Sequence, residues 1–321
     1  METITQNEAI ALYQLEDHGQ LKRFILSTPE TRSICNDPGV YGVEYTDKLK
    51  IAMGKCINAL PESLVVKQEQ GMVFNILRGG LNFGLREALV AGKGWRSHCT
   101  AFISAQRVYD EEEGWHITEN RYEKVYLPDN ADIYVGDVVA TGVSLEYALK
   151  KMVALARDQA VSFKRVTFFT IGSERAGELM EEVDRQCREE FPDYEESRVV
   201  YIEGIFGMPK DHGSLDIALQ GTDLLRWPAT LSPEFLASQA DDPAYPLERC
   251  TIYDAGSRAF NAPEYLEDVR EYWSLVKELA EKGMSYSDYL AQRVPGCPGG
   301  HAGDAAVLIA LADRQIKKCG I

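Results

Sequence analysis

The chain has 321 residues, 45% hydrophobic and 26% charged, with a formal net charge of −16 at pH 7. This is ordinary globular composition, enough for one large or two modest domains. So acidic a surface disfavours nonspecific binding to nucleic acid or to an anionic membrane, and any polyanionic ligand must be met by a local positive site. The seven cysteines are odd in number and lack paired spacing, so they read as reduced cytoplasmic thiols, not a disulfide framework. The N-terminus has no basic region followed by an apolar core, so no signal peptide is expected, and no apolar run approaches membrane-spanning length.

Residues 1–70 read as a helical segment packing on the core. Leu12, Leu15, Leu21, Phe24 and Ile25 predict an amphipathic helix, interrupted by Pro29 and the Asn36-Asp37-Pro38-Gly39 turn. A second helix is predicted from about Tyr45 to Leu60, ended by Pro61. These elements fit a packing or dimer surface rather than a catalytic one.

Residues 71–225 read as the core. Met72 to Leu77 predicts a short buried strand running into Arg78-Gly79-Gly80-Leu81 and a helix over Asn82 to Val90. Two glycines there let backbone approach a ligand closely, and an arginine favours phosphate, although alone the tripeptide fits a surface turn as well. Thr100 to Ile103 is the next strand. Gln106 to Trp115, returning through Tyr122 to Pro128, predicts a long hairpin whose acidic tip, Asp110 to Glu113, is a solvated turn.

The stretch Asp132 to Ser144 organises the core. Ile133, Tyr134 and Val135 are strand formers, and Leu145, Ala148, Leu149, Met152 and Val153 recur at helical spacing. Between them lies a tight turn holding Asp137, Thr141, Gly142 and Ser144. A strand feeding a helix through such a turn aims backbone N–H groups and the positive end of the helix dipole at one point, which suits phosphate. Asp137 then stands where sugar hydroxyls or a hydrated magnesium ion are met. Read alone, Asp-x-x-x-Thr-Gly fits an ordinary strand-to-helix connection about equally well.

Arg165 to Ile171 and Arg198 to Ile202 are further strands, separated by a charged amphipathic helix over Ser173 to Glu190 with Ser173 as its cap. The alternation from residue 72 to 202 predicts an α/β fold, a mostly parallel sheet with helices on both faces. Ligands of such sheets bind beyond the strands' carboxyl ends, where Arg78, Asp137 and Thr141 all fall. Residues 226–321 form an extension: Pro228, Pro233, Pro243 and Pro246 punctuate a loop-rich region, and helices follow at Pro263 to Lys282 and Ala305 to Lys318. Cys297, His301 and Cys319 match no zinc spacing.

Over residues 70–205 the chain resembles the type I phosphoribosyltransferase family. Tyr134-Val135-Gly136-Asp137-Val138-Val139-Ala140-Thr141-Gly142-Val143-Ser144 resembles its phosphoribosyl-pyrophosphate (PRPP) motif, and the Ala140-to-Ser144 half is most similar to the uracil phosphoribosyltransferase branch. Ile76-Leu77-Arg78-Gly79-Gly80-Leu81 resembles that branch's pyrophosphate loop, and the hairpin, with Arg107 before its tip and Tyr122 to Pro128 after it, resembles the family's flexible hood. The resemblance implies a cytoplasmic, homo-oligomeric enzyme of nucleotide salvage that joins PRPP to a nucleobase, with Mg2+ accompanying PRPP. It implies that Ala140, Thr141, Gly142, Val143 and Ser144 hold the 5′-phosphate. It further implies that Asp137 meets the ribose and the metal, and that Arg78, Gly79, Gly80 and Arg107 hold pyrophosphate. Two features depart from the family. Gly136 stands where the first of its two acids belongs. Past residue 205 the segments Gly204-Ile205-Phe206-Gly207, Gly221-Thr222-Asp223 and Pro298 to Asp304 are poor echoes of its base-recognition and PRPP loops. A PRPP- or nucleotide-sensing protein without chemistry, and an interaction protein whose tail docks a partner, are the alternatives.

Overall fold

A computed structural model describes the chain apart from residues 63, 78–82, 111–113, 120–121, 209–223, 242–260, 294–302 and 320–321. For residues 106–110, 114–119, 225–228, 240–241 and 292–293 it describes the backbone alone. The strands are β1 (Glu2–Gln6), β2 (Ala11–Gln14), β3 (Lys22–Ser27), β4 (Gly71–Ile76), β5 (Cys99–Ile103), β6 (Gln106–Asp110), β7 (Gly114–Glu119), β8 (Glu123–Lys124), β9 (Ala131–Val139), β10 (Phe163–Ser173), β11 (Glu196–Gly207) and β12 (Leu225–Leu231). The helices are α1 (Pro29–Asn36), α2 (Val43–Ala59), α3 (Leu85–Lys93), α4 (Val143–Gln159), α5 (Arg175–Glu190), α6 (Pro233–Asp241), α7 (Ala262–Glu281), α8 (Tyr286–Arg293) and α9 (Ala305–Lys318). No helix of the described residues is long and apolar enough to cross a membrane, and the described cysteines are free thiols.

One mixed sheet runs in the order β1-β2-β3-β11-β10-β9-β4-β5-β8, with β12 added antiparallel on β11. Its centre, β3-β11-β10-β9-β4-β5, is wholly parallel. From β4 the chain first steps outward to β5, then returns to place β9 on the other side and continues through β10 to β11. The sheet therefore reverses its winding between β4 and β9. Beyond the carboxyl ends of such a strand pair a crevice opens, because the two connections leave in opposite directions.

Side-chain alternation divides the interior. Ile133, Val135, Phe168 and Val199 face α4 and α5, whereas Tyr134, Phe169 and Val200 face α1, α2, α3 and the C-terminal helices. The predicted α/β architecture, with helices on both faces, is the one observed.

The N-terminal reading needs correction. Leu12 to Ile25 form β2 and β3, not a helix. Both faces of these strands are covered, so Ala11, Leu12 and Tyr13 are all buried, as are Phe24, Ile25 and Leu26. A strand buried on both faces loses its polar alternation, and its apolar residues then mimic helical spacing. The helix predicted near Tyr45 to Leu60 is α2. The hairpin is tighter than predicted: β7 at 114–119 is the returning strand, while Glu123 and Lys124 form β8 beside β5. Of its acidic tip, Asp110 ends β6 opposite Gly114, and residues 111–113 lie outside the described residues. The extension is more regular than its prolines suggest. Pro233 opens α6, where a missing N–H costs nothing, and Pro228 lies in β12. Helices α7 and α9 match the prediction, and Tyr265, Trp273, Leu308 and Leu311 join the same apolar cluster as α1 and α2, so the extension completes one face of the sheet.

At the sheet's amino end a buried charge network joins the strands. Arg165, 1% exposed, donates to both oxygens of Asp132 at 2.8 and 2.6 Å and to Glu62 at 2.6 Å. Glu196 lies 3.5 Å from Arg165, 2.5 Å from Arg198 and 2.7 Å from Lys22. Burial pushes the Glu62 carboxyl up, but hydrogen bonds from Arg165 and Lys93 outweigh it and hold the group down at about 2. Removing one member of such a set leaves the others buried and uncompensated. Arg165→Met is therefore expected to cost about 3–5 kcal/mol in urea unfolding, while Lys150→Met, at an exposed pair, stays within about 1 kcal/mol.

Near the opposite end, Glu203 is fully buried and adopts a left-handed backbone, φ +62°. Its carboxyl accepts from Thr31 Oγ1 and, at 3.0 Å, from Ser232 Oγ. Burial pushes it up to about 7, against the pull of those hydroxyls, Ser27 and Arg32. A carboxyl raised on folding adds stability that is fully present below its unfolded value, 4.5, and is lost as pH rises through about 7. Between pH 5 and 8 the melting temperature should fall in the wild type and fall less in Glu203→Gln, measured by calorimetry.

Candidate functional site

Strand β9 carries Asp137 towards its carboxyl end, beside the switch point. Its pairing with β10 is unbroken from Arg165↔Asp132 to Gly172↔Val139. Strict alternation therefore holds: Gly136 lies on the face of Tyr134, and Asp137 on the opposite face, that of α4. Asp137 is part-exposed, and its Oδ1 accepts from the Val138 N–H at 2.9 Å.

The turn Ala140-Thr141-Gly142 then enters α4. Gly142 has φ +76° and precedes the helix without any side-chain cap, so the first turn keeps its positive end towards the crevice. A Cβ there would stand 2.6 Å from Leu179 Cδ1 and 3.1 Å from Arg175 Cγ, so both conformation and the approach of α5 require glycine. Thr141 is exposed, while Ala140, Val143 and Ser144 are half-buried. Ser173 donates its hydroxyl to the Ala140 carbonyl at 2.8 Å, tying the end of β10 to the turn. It also accepts from the Arg175 N–H at 3.3 Å, but Ser173 ends β10 and the cap position of α5 is Glu174, so the predicted cap is not the one observed.

The charge around the turn is balanced. Arg175 pairs with Glu146 at 3.2 Å and Glu178 at 2.9 Å, and Lys150 with Glu146 at 2.7 Å. The Lys150 hydrogen bond is the main cause holding the Glu146 carboxyl below its usual range. A polyanion bound here needs further cations from other loops.

The structure brings together Asp137, Ala140, Thr141, Gly142, Val143 and Ser144. Arg78, Gly79 and Gly80 lie outside the described residues, although β4 ends immediately before them and beside β9. Arg107 is on β6, opposite Ile117, in a hairpin that lies against α4; only its backbone is described. Lys124 is exposed on β8. The described parts of the later echoes are not gathered here. Gly204 to Gly207 are buried in β11, and Asp304 caps α9, accepting from the Val307 N–H at 3.1 Å. Gly221, Thr222, Asp223, Cys297 and His301 lie outside the described residues, and Cys319 is buried.

Sequence reasoning missed Phe83. An ideal Cβ on Gly136 would stand 2.5 Å from its Cγ and 2.8 Å from its Cβ. The fully buried ring, from the segment between β4 and α3, occupies the space that a side chain at 136 needs. Gly136 thus makes room for Phe83, and Asp137 stands without a neighbouring acid. The only hint in the sequence was an unexplained glycine inside a strand pattern.

No protein-family model matches the chain, and no curated protein does. Among solved structures, Trypanosoma brucei adenine phosphoribosyltransferase, crystallised with AMP, pyrophosphate and ribose 5-phosphate, is 12% identical with a TM-score of 0.35, over 65% of this chain and 96% of that one. Purine phosphoribosyltransferase from Pyrococcus horikoshii Ot3 is 14% identical with a TM-score of 0.26, over 56% and 97%. A hypothetical protein from Neisseria gonorrhoeae with bound ppGpp is 15% identical with a TM-score of 0.28, over 41% and 69%. These likenesses are remote.

Gly142→Ala is expected to destabilise the protein by about 1–3 kcal/mol, because it forces a side chain into a left-handed backbone against Leu179. Urea unfolding measures the loss. Gly94→Ala, a left-handed helix end with open space around its Cβ, should cost less.

Proposed function

We propose that the protein is a PRPP-dependent phosphoribosyltransferase, transferring ribose 5-phosphate to a nucleobase and releasing pyrophosphate, with uracil or a related pyrimidine-like base as acceptor. The observation that carries this reading is the uncapped start of α4 beside Asp137, at the reversal point of a parallel sheet. There the N-terminal N–H groups and the Thr141 and Ser144 hydroxyls suit a 5′-phosphate, and Asp137, one strand-end away, suits the ribose hydroxyls. Arg78, Gly79, Gly80 and Arg107 are assigned to pyrophosphate, the two arginines supplying the cations that the balanced turn lacks. Ala140 offers no general base, which suits a pyrimidine-like acceptor. Rate enhancement comes from positioning and from charge stabilisation of the leaving group.

One carboxylate fits a magnesium ion that keeps several waters and is carried chiefly by the ligand's phosphates. Among the described residues no group of three or more histidines, cysteines or carboxylates is arranged to hold a metal. Asp137 would orient the hydrated ion, which would neutralise charge on the departing pyrophosphate.

The closed space at Gly136 favours a second reading, a sensor that binds PRPP or a nucleotide without turnover. Pyrophosphate release from PRPP across a panel of nucleobases separates the two. Release with a pyrimidine-like base supports the enzyme; binding without release for any base supports the sensor. Two substitutions test the assignments. Thr141→Val should weaken PRPP binding in calorimetry by about 1.5–3 kcal/mol, the value of a hydrogen bond to a charged group. Asp137→Asn should abolish turnover while ribose 5-phosphate still binds.

A further inference from the structure

A cavity of about 330 Å³ opens at the β1–β3 edge of the sheet, lined by Gln6, Glu8, Ser27, Pro29, Arg32 and Glu234. Strands β10 and β11 separate β3 from β9, so the cavity is distinct from the cradle. The turn after β1, the end of β3, the start of α1 and the start of α6 meet around it, and the C-terminal extension thus supplies part of its wall.

Its charged groups are unusual in what they lack. Arg32 is held by a hydrogen bond to Ser27 Oγ at 2.7 Å, and no carboxylate of the described residues lies within 4.0 Å of its guanidinium. Glu234 accepts from the Tyr13 hydroxyl at 2.6 Å and from Gln6 at 2.8 Å, both on Oε1, while Oε2 is buried and accepts no bond. Arg32 and Glu234 therefore share one small cavity without pairing with each other, while Arg32 acts at longer range on the Glu203 carboxyl. Glu203 adjoins them, its left-handed backbone sitting where the two helix starts are tied together through Thr31 and Ser232. Strain of this kind at a non-glycine residue persists where the surroundings enforce it, and it gathers at ligand sites.

The charge pattern selects the ligand. A plain anion would meet Glu8 and Glu234, and a polyamine would leave Arg32 unsatisfied. The volume lies at the small end for ligand pockets. We propose that this cavity binds a free α-amino acid, its carboxylate on Arg32 and its ammonium on Glu234.

The test uses the full chain and pools of the twenty common amino acids, each at about 10 mM, read by thermal shift and followed by calorimetry on the responding member. At least one free amino acid should raise the melting temperature. Its N-acetyl and carboxamide derivatives should bind roughly tenfold or more weakly. Arg32→Gln should weaken the free amino acid and remove its advantage over the carboxamide; Glu234→Gln should do the same against the N-acetyl form. Both variants should keep the unliganded melting behaviour of a folded protein, since each group replaced is held by only one or two hydrogen bonds. Asp137→Asn should bind the amino acid as the wild type does, which separates this site from the cradle. No response to any amino acid, or a response that survives both substitutions in a folded protein, overturns the proposal.

Discussion

The architecture rests on Arg165. Its guanidinium sits between Asp132 at the start of β9, Glu196 at the start of β11 and Glu62 in the connection from α2, while Arg198 reaches from β11 to the Pro61 carbonyl at 2.7 Å. Ions taken out of water are costly, so these groups are tolerable only with every partner in place, and that demand sets where the strands begin relative to one another. A parallel sheet aligned at its amino ends has its carboxyl ends aligned as well. Asp137 and the turn into α4 emerge where they do because β9 and β10 are registered from the far end.

The two ends of the sheet therefore do different work. At the amino end the charged groups are paired with one another across the strands. At the carboxyl end a helix start without a side-chain cap, a part-exposed carboxylate and an exposed threonine stand together. Close contacts from outside β9 shape that end: Phe83 against Gly136, Leu179 against Gly142 and Ser173 onto the Ala140 carbonyl. Each comes from a different segment, and each limits what the turn presents. The ring of Phe83 fills the space that a side chain at 136 would need, so this end of β9 carries one acid, Asp137.

The C-terminal extension is part of the same body of packing. Tyr265 donates to the Pro38 carbonyl at 3.1 Å, Phe206 meets Phe235 edge-on, and Ser232 reaches the Glu203 carboxyl. Without these helices the apolar residues of α1, α2 and one sheet face would lie exposed, at a free-energy cost proportional to their area. The extension covers a face that the strand–helix alternation alone leaves open, and it also walls the cavity holding Arg32 and Glu234.

Local signals in the sequence determined much of this. The strand–turn–helix over Asp132 to Ser144 was legible because consecutive strand formers meet a period-3.6 pattern across a turn holding a glycine, and α2, α7 and α9 were legible from helical spacing, with a proline ending α2 and another near the start of α7. Tertiary structure decided the rest. Residues 12–25 became strands because both of their faces found cover, which erases the alternation that marks a strand. The winding reversal between β4 and β9 depends on which edge each strand joins, and no local pattern encodes that choice. The reason for Gly136 was unreadable as well: its neighbour Phe83 lies more than fifty positions earlier, and only the folded sheet brings the ring to the place where a second acid would stand.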